Sequence, residues 1–195
     1  MIELSIVILV IGISKGSKVI SESKLKSAKS ITNGSPIHII DDLALWLEPT
    51  NPDNIATGAF DDPLDFNSDL SEGSPISSWR YLTPSNTSLI NLTPDSDDER
   101  PTYTEKGING LPAIAFDGLT QVLTNAQGVI PAEHERYTMI AVFTGNNVTT
   151  GTHVPFSQTN GGCSGTITGI IIQGSEVGYF GCGGDQILDL QQLLY

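Results

Sequence analysis

The chain has few basic residues: nine lysines and arginines stand against 22 aspartates and glutamates, and the formal net charge is −13. Five of the nine are lysines within residues 1–30, where the acids are Glu3 and Glu22. From residue 31 onward four basic side chains face 20 acids, a net charge of −16. Such a surface repels nucleic-acid phosphates and anionic membranes. We therefore expect no nucleic-acid partner, and ligands that are neutral or cationic, or partner proteins that are basic.

The apolar run over residues 2–13 is short and contains one acid, Glu3. A membrane-spanning helix needs about 20 apolar residues, so this run alone cannot cross a bilayer. A buried carboxylate without a partner is costly, which predicts that Glu3 has one. From the residues alone, the run is a buried strand, a short core helix or the apolar region of a secretory signal. A signal peptide carries positive charge in front of that region, whereas here the lysines follow it.

Cysteine is scarce, with Cys163 and Cys182 as the two in the chain. They flank a glycine-rich stretch in which we expect two strands to fold back on each other. In an exported protein this predicts a Cys163–Cys182 disulfide, which stabilises the fold by about 3 kcal/mol in the chain-entropy model. Two buried thiols are the alternative. A structural zinc site needs about four ligands, and no histidine lies near either cysteine in sequence, so no metal site is expected.

The hydrophobic pattern divides the chain into a stem, a linker and a β-rich domain. Residues 17–30 carry a sparse apolar stripe among lysines and serines, which is typical of an exposed helix. Asn33-Gly34 and Pro36 end that helix because they favour turns. We predict an α-helical stem over residues 1–30, a linker over 31–40, and a mainly β domain, an antiparallel jelly roll or β-sandwich, over 41–195. The expected strands include residues 43–47, 77–81, 137–143 and 166–172.

Ile2 and Glu3, followed by the apolar residues 4–13, resemble the N-terminal segment of type IV pilins and type II secretion pseudopilins. In those proteins an aromatic residue begins the mature chain and a leucine, an isoleucine and a glutamate follow. The resemblance implies export, insertion in the inner membrane and packing with other pilin subunits through the N-terminal helix. Glu3 would be the assembly residue, meeting a neighbouring subunit's N-terminal amine. It also implies that the leader and the aromatic residue are lost or lie upstream of Met1.

A second set of motifs occurs in order along the rest of the chain. It comprises a strand-like segment at 43–47, Ser77-x-Trp79, residues 100–103 (Arg-Pro-Thr-Tyr), residues 109–118 (Asn-Gly-Leu-Pro-Ala-Ile-Ala-Phe-Asp-Gly) and residues 137–143. This set resembles the concanavalin A-like, laminin G-like jelly-roll superfamily of lectins and glucanases. The resemblance implies a jelly roll from residue 41 onward. Residues 185–195 lack the alternation of a closing strand, so we expect a C-terminally incomplete domain with an unpaired sheet edge.

Glycosidases use two carboxylates on either side of the scissile bond. The jelly-roll glucanases carry theirs as Glu-x-Asp-x-x-Glu on one strand, and this sequence has no such string. Glu133 and Glu135 alternate, but the nearby Pro131 indicates a loop. We therefore expect no catalytic residues and a protein that is not an enzyme.

Two residues are the candidates for ligand contact. Trp79 lies beside Arg80 and could stack on a sugar ring, whereas Trp46 between two leucines is better placed in a core. Asp117 follows a strand in an Asp-Gly turn, where aspartate is also favoured for backbone reasons. No cofactor is expected. Ca²⁺ is the alternative, because it prefers oxygen ligands and acids cluster at Asp95, Asp97, Asp98 and Glu99.

These observations predict an exported pilin- or pseudopilin-like surface protein with a non-catalytic, lectin-like head for carbohydrate or surface recognition and adhesion. It would pass from the inner membrane to a pilus, a pseudopilus or the cell surface. The alternative is a secreted polysaccharide hydrolase or lyase with a damaged signal peptide. A structural fragment without activity of its own is a third reading.

Overall fold

A computed structural model gives the fold of the chain. It describes residues 19–20, 22–32, 34–40, 43–60, 62–66, 70–82, 89–126, 129, 138–145, 152–159, 167–173, 176–181 and 186–189. The chain divides into two compact units, Met1–Thr124 (unit 1) and Asn125–Tyr195 (unit 2). Across the described residues, no helix combines the length and the apolar character needed to cross a bilayer.

Unit 1 contains an α-helix, α1, over residues 22–32, and residues 19–20 are also helical. Val19 and Ile20 are 63% and 60% exposed, so the sparse apolar stripe contributes no core. The helix ends where the turn formers predict, since the Gly34 amide donates to the Ser30 carbonyl at 3.0 Å. A 3₁₀ helix, Pro36–Ile39, then begins behind the Ser35 side chain, which accepts a hydrogen bond from an amide in its first turn. Residues 22–32 are thus helical, the predicted stem over residues 1–30 stays a prediction, and the run 2–13 lies outside the described residues.

The rest of unit 1 holds two antiparallel sheets. Sheet 1 has the order β1–β2–β3, and sheet 2 is the hairpin β4–β5. Their strands are β1 (Ile55–Ala56), β2 (Ser78–Leu82), β3 (Leu89–Leu92), β4 (Thr102–Ile108) and β5 (Leu111–Ala115). The hairpin turns at Asn109 and Gly110, whose φ angles of 53° and 75° are both left-handed. That conformation suits a two-residue Asn-Gly hairpin loop.

Sheets 1 and 2 share one apolar core within unit 1. Ile55, Ile76 and Tyr103 are its buried members, and Trp79 and Ile114 pack against them. Ile55 pairs with Trp79 across sheet 1, and Tyr103 pairs with Ile114 across sheet 2, so each sheet contributes one cross-strand pair. The mainly β, antiparallel character predicted from the sequence is therefore confirmed, and the jelly-roll topology stays a prediction.

Unit 2 contains sheet 3, an antiparallel meander with the order β6–β7–β8–β9. On β7 (Ile167–Gln173), one of the two inner strands, Ile171 and Ile172 are 5% and 6% exposed. Successive side chains of a strand point to opposite faces, so both faces of this strand are covered. The register between the first two strands shifts between His153 and Phe156, around a proline that cannot donate to the ladder. The strands are β6 (Thr152–Thr159), β7 (Ile167–Gln173), β8 (Glu176–Gly181) and β9 (Gln186–Asp189).

The structure confirms two of the predicted strands and corrects three other expectations. The segments predicted at 77–81 and 166–172 form β2 and β7. The strands expected at 43–47 and 137–143 are wrong for the residues described there, because residues 43–48 and 138–145 pair with no described strand. Ile140 is even 86% exposed. The expectation that 185–195 holds no strand is also wrong, because β9 pairs with β8 through four residue pairs. The apolar pattern of a segment shows which of its side chains suit a buried face. Whether the segment forms a strand depends on a second segment that pairs with its backbone.

Candidate functional site

Arg80 lies on β2, the central strand of sheet 1. It stands opposite Asn91 of β3, and its Nη2 donates to the backbone carbonyl of Asp53. The guanidinium carbon lies 3.9 Å from the centroid of the Phe66 ring. A guanidinium over an aromatic face is a cation–π contact, which holds the planar group in one orientation.

Two neighbouring side chains are buried with polar atoms that have no partner. Asn54 is 8% exposed and Ser78 is fully buried. Asn54 Oδ1, Ser78 Oγ and Arg80 Nε make no hydrogen bond within the part of the chain that the structure describes. Buried polar atoms in folded proteins are nearly always hydrogen-bonded, to protein or to ordered water. Each of these three atoms is therefore available to bond a water molecule or a ligand, as is Trp79 Nε1 on the other face of β2.

The strand geometry brings these side chains together. Ser78 and Arg80 are two residues apart on β2, so they project from the same face of sheet 1. The bond from Arg80 to the carbonyl of Asp53 places its guanidinium beside the residue that precedes Asn54. We call Asn54, Phe66, Ser78 and Arg80 the Arg80 cluster. It offers an amide oxygen, a hydroxyl, a guanidinium edge and an aromatic ring.

The segment that carries Phe66 is fixed against the rest of unit 1. Ser77 Oγ donates to the Pro63 carbonyl at 3.2 Å. A side-chain carbon on Gly58 would lie 2.6 Å from the Asp62 carbonyl oxygen, so the chain is tightly folded there. The ring of Phe66 is held at the cluster by this fixed backbone.

The other conspicuous arginine, Arg100, has a structural role. Its side chain is 10% exposed and forms an ion pair of 3.0 Å with Asp97. It also donates to four backbone carbonyls in two other chain segments. These carbonyls belong to Thr57, Gly58, Pro75 and Ile76.

The acidic cluster proposed as an alternative Ca²⁺ site is engaged within the protein. Asp95 accepts a hydrogen bond from Thr124 at 2.9 Å, and Glu99 accepts one from the Asp95 amide at 3.1 Å. Together with the Arg100–Asp97 pair, these contacts use three of the four acids. Among the described residues, no group of three or more His, Cys, Asp or Glu side chains is arranged to hold a metal ion.

Trp79 lies on the opposite face of β2 from Arg80. Its half-buried ring packs against the shared core of Ile55, Ile76 and Tyr103. Burial raises the pKa of Tyr103 to about 12, and Glu105, Glu72 and Glu48 add to the shift. The Tyr103 phenol therefore stays protonated near neutral pH. Ligand contact by Trp79 remains a prediction, and the core accounts for where its ring lies.

Asp117 is exposed in the loop after β5, and its carboxylate closes that loop. Asp117 Oδ1 accepts from the amides of Leu119, Thr120 and Gln121 at 2.8, 3.0 and 3.0 Å. The backbone bonds, that of Gln121 first, lower the pKa of the carboxyl to about 2. The structure thus gives Asp117 a loop-closing role, and its ligand role stays a prediction. Glu3, Cys163 and Cys182 lie outside the described residues.

The sequence alone did not single out the Arg80 cluster. Its four members are spread over residues 54–80 and form no motif, because the cluster depends on strand pairing and on a loop contact. One signal was available: Arg80 is one of the four basic side chains in a segment with 20 acids. Basic residues are scarce in this acidic segment, which made each of the four worth examining for a specific role.

Comparison with known proteins shows no family for this chain. It matches no protein-family model, no curated protein and no solved structure. The pilin-like and concanavalin A-like resemblances therefore remain predictions from the sequence, and the argument for a function rests on this chain's own residues.

Proposed function

We propose that this chain is an exported pilin- or pseudopilin-like surface protein whose β-rich head recognises a neutral, hydroxyl-rich ligand of the carbohydrate type and does not turn it over. The observation that carries the proposal is the Arg80 cluster. Binding sites for small neutral molecules combine an apolar or aromatic surface with a few fixed polar groups. The cluster has this composition, with the Phe66 ring beside a guanidinium, an amide and a hydroxyl.

The chemistry of the unpartnered atoms favours hydroxyl groups. Arg80 Nε can only donate, Asn54 Oδ1 can only accept, and Ser78 Oγ can do both. A sugar hydroxyl also donates and accepts, so it complements all three. A carboxylate or phosphate only accepts, and it is also repelled by the net charge of −13.

The proposal for the stem rests on the apolar run 2–13 and its single acid. In a filament core, the Glu3 carboxylate would need an opposite charge, and the N-terminal amine of a neighbouring subunit supplies one. Other copies of pilin-like subunits are therefore the proposed partners. The chain would lie in the inner membrane before assembly and in a pilus, a pseudopilus or the cell surface afterwards.

Isothermal titration of the purified chain with laminarin and with soluble agarose oligosaccharides tests the head. We expect saturable binding to at least one of them, no release of new reducing ends, and no binding of the anionic polymer alginate. Release of reducing ends would instead support the secreted hydrolase alternative. Absence of binding to both neutral glycans would contradict the proposal.

Replacement of Glu3 tests the stem in cells that make the chain. We expect Glu3→Ala to remove the protein from the sheared surface fraction, because the carboxylate loses its assembly partner. Glu22→Ala is the matched control, since Glu22 lies on α1 with an exposed side chain. Equal surface amounts of the Glu3→Ala variant and the control would contradict assembly through Glu3.

A further inference from the structure

Ser77, immediately before β2, and Ser78, its first residue, differ in whether their hydroxyl groups have a hydrogen-bond partner. Ser77 and Ser78 are both fully buried. The Ser77 hydroxyl has a protein partner, the Pro63 carbonyl at 3.2 Å, whereas the Ser78 hydroxyl has none among the described residues. A buried hydroxyl without a partner destabilises a fold. The described contacts of the protein therefore give the Ser78 hydroxyl no stabilising role.

We infer that Ser78, Asn54 and Arg80 form a recessed subsite that takes a single hydroxyl group of the ligand. This inference rests on the proposed function of the head and names the part of the ligand that is recognised. The ligand hydroxyl accepts from Arg80 Nε and donates to Asn54 Oδ1. Ser78 Oγ adds a third bond, because its hydrogen can rotate to suit either role. A single hydroxyl within reach of the three atoms would supply each of them with a partner.

We assign the entrance to the Phe66 ring, which lies 3.9 Å from the Arg80 guanidinium carbon. All three atoms have almost no accessible surface, so a ligand reaches them only after something moves. Ser77 and the tight packing at Gly58 fix the backbone of the segment 62–66. The half-buried Phe66 side chain is held at the cluster by its contact with the guanidinium. In this inference, rotation of the Phe66 side chain is the movement that admits the ligand.

The two serines give a matched pair of variants. We expect Ser78→Ala to weaken binding of laminarin or agarose oligosaccharides about tenfold, since one hydrogen bond to the ligand is lost. The thermal midpoint of the free variant stays unchanged or rises, because no protein contact is broken. Ser77→Ala shows the reverse: the midpoint falls by about 2–4 °C, and the Kd for the same glycan stays within about twofold of the parent value.

The outcomes separate the inference from the proposed function. If the parent chain binds a glycan and Ser78→Ala binds it equally well, water alone fills the subsite, and the inference is overturned while the proposed function stands. If the parent binds neither glycan, both are overturned. Phe66→Ala tests the entrance: we expect faster association in stopped-flow measurements, and slower or unchanged association overturns entry past Phe66.

Discussion

The described hydrogen bonds inside unit 1 differ in kind from those inside unit 2. In unit 2, β7 pairs with β6 and with β8 through six residue pairs each. In sheet 1 of unit 1 the strands have two, five and four residues, and β1 pairs with β2 through two residue pairs. There, side chains bonded to distant backbone carbonyls join the segments, with Arg100 and Tyr81 as the main examples. Unit 1 therefore depends on individual polar side chains, and unit 2 depends on how closely its backbones approach.

The same difference explains why the candidate site lies in unit 1. Short ladders leave many backbone and side-chain groups to be satisfied one by one. Among the described residues of unit 1, four buried side-chain atoms have no hydrogen-bond partner, on Asn54, Ser78, Trp79 and Arg80. A long ladder satisfies its backbone groups collectively. A sheet of that kind gains stability but offers fewer polar groups to a ligand.

Arg100→Ala is the variant expected to have the largest effect, because it removes one side chain that joins three segments of unit 1. The loss leaves the carbonyls of Thr57, Gly58, Pro75 and Ile76 without their shared donor. We expect the free energy of unfolding to fall by about 3 kcal/mol, as found for buried charged hydrogen bonds. Urea unfolding followed by tryptophan fluorescence measures it, since Trp46 and Trp79 both lie in unit 1.

Lys106→Ala is the control for the loss of a positive charge from unit 1. Lys106 is exposed on β4, and removal of an exposed charge changes the free energy of unfolding by no more than about 0.5 kcal/mol. Equal losses from Arg100→Ala and Lys106→Ala would show that the carbonyl contacts of Arg100 do not hold unit 1 together.

Gly169→Ala tests the other half of the comparison, the close approach of backbones in unit 2. A β-carbon at residue 169 would lie 2.6 Å from the Phe156 carbonyl oxygen and 3.0 Å from Ser157 Cβ, both on the neighbouring β6. Backbone atoms in a paired strand cannot move aside freely. We expect a loss of about 2 kcal/mol in the free energy of unfolding, within the range for overpacked positions, measured by circular dichroism at the β-sheet minimum.

Gly118→Ala separates crowding from backbone strain. Gly118 has a φ of +71° and nothing within 4 Å of an added β-carbon. Its cost is therefore the left-handed conformation alone, about 1 kcal/mol. If Gly169→Ala costs no more than Gly118→Ala, β6 and β7 do not approach as closely as described, and the contrast between the units fails.

The class of fold could be predicted from the sequence, and so could its turns. Asn109-Gly110 joins a hairpin as its composition indicates, and the Gly34 amide closes the last turn of α1. The segment 138–145 shows the limit, since its apolar and β-branched residues predicted a central strand and the structure pairs them with no described strand. Conversely, residues 186–189 pair with β8 although their composition did not suggest it. Pairing depends on residues far away in the chain, which local patterns do not contain.

The site was harder to predict than the fold. Trp79 was singled out because exposed tryptophans bind sugars, yet its ring packs on the core, and its neighbour Arg80 is the polar group on the other face. Alternation along a strand separates these two adjacent residues, and the sequence does not say which face is covered. Ser78 gave no signal at all, because a buried hydroxyl without a partner can be recognised only once its surroundings are known.

Tyr81→Phe measures a single contact of the kind that joins unit 1. The buried Tyr81 hydroxyl donates to the Leu43 carbonyl at 2.8 Å, which ties the segment 43–48 to β2. We expect a loss of about 1 kcal/mol in the free energy of unfolding, the usual worth of one hydrogen bond. Tyr103→Phe, at another buried tyrosine of unit 1, is the control, and we expect a smaller loss because no hydrogen bond of its hydroxyl is found among the described residues. If Tyr81→Phe is as mild as the control, the tie to residue 43 contributes nothing to stability.

The smallest effect is expected from the exposed carboxylate that closes the loop after β5. Hydrogen bonds to the backbone of Gln121, Leu119 and Thr120 lower the pKa of Asp117 to about 2, from 3.8 for an unperturbed aspartate. A lowered pKa means that folding favours the charged form, so the stabilisation is complete above pH 3.8 and is lost as the pH falls through about 2. Because the group is solvent-exposed, the change in stability should be confined to the loop.

An NMR titration of the Asp117 carboxyl carbon should give a midpoint near 2, and amide exchange at residues 119–121 should accelerate below it. Thr120→Ala, which removes the side-chain bond to Asp117 Oδ2, should raise that midpoint. A parent midpoint near 3.8 would show that the loop is not closed by this carboxylate. Asp117 would then not count among the individual polar side chains on which unit 1 depends, and the contrast with unit 2 would be weaker.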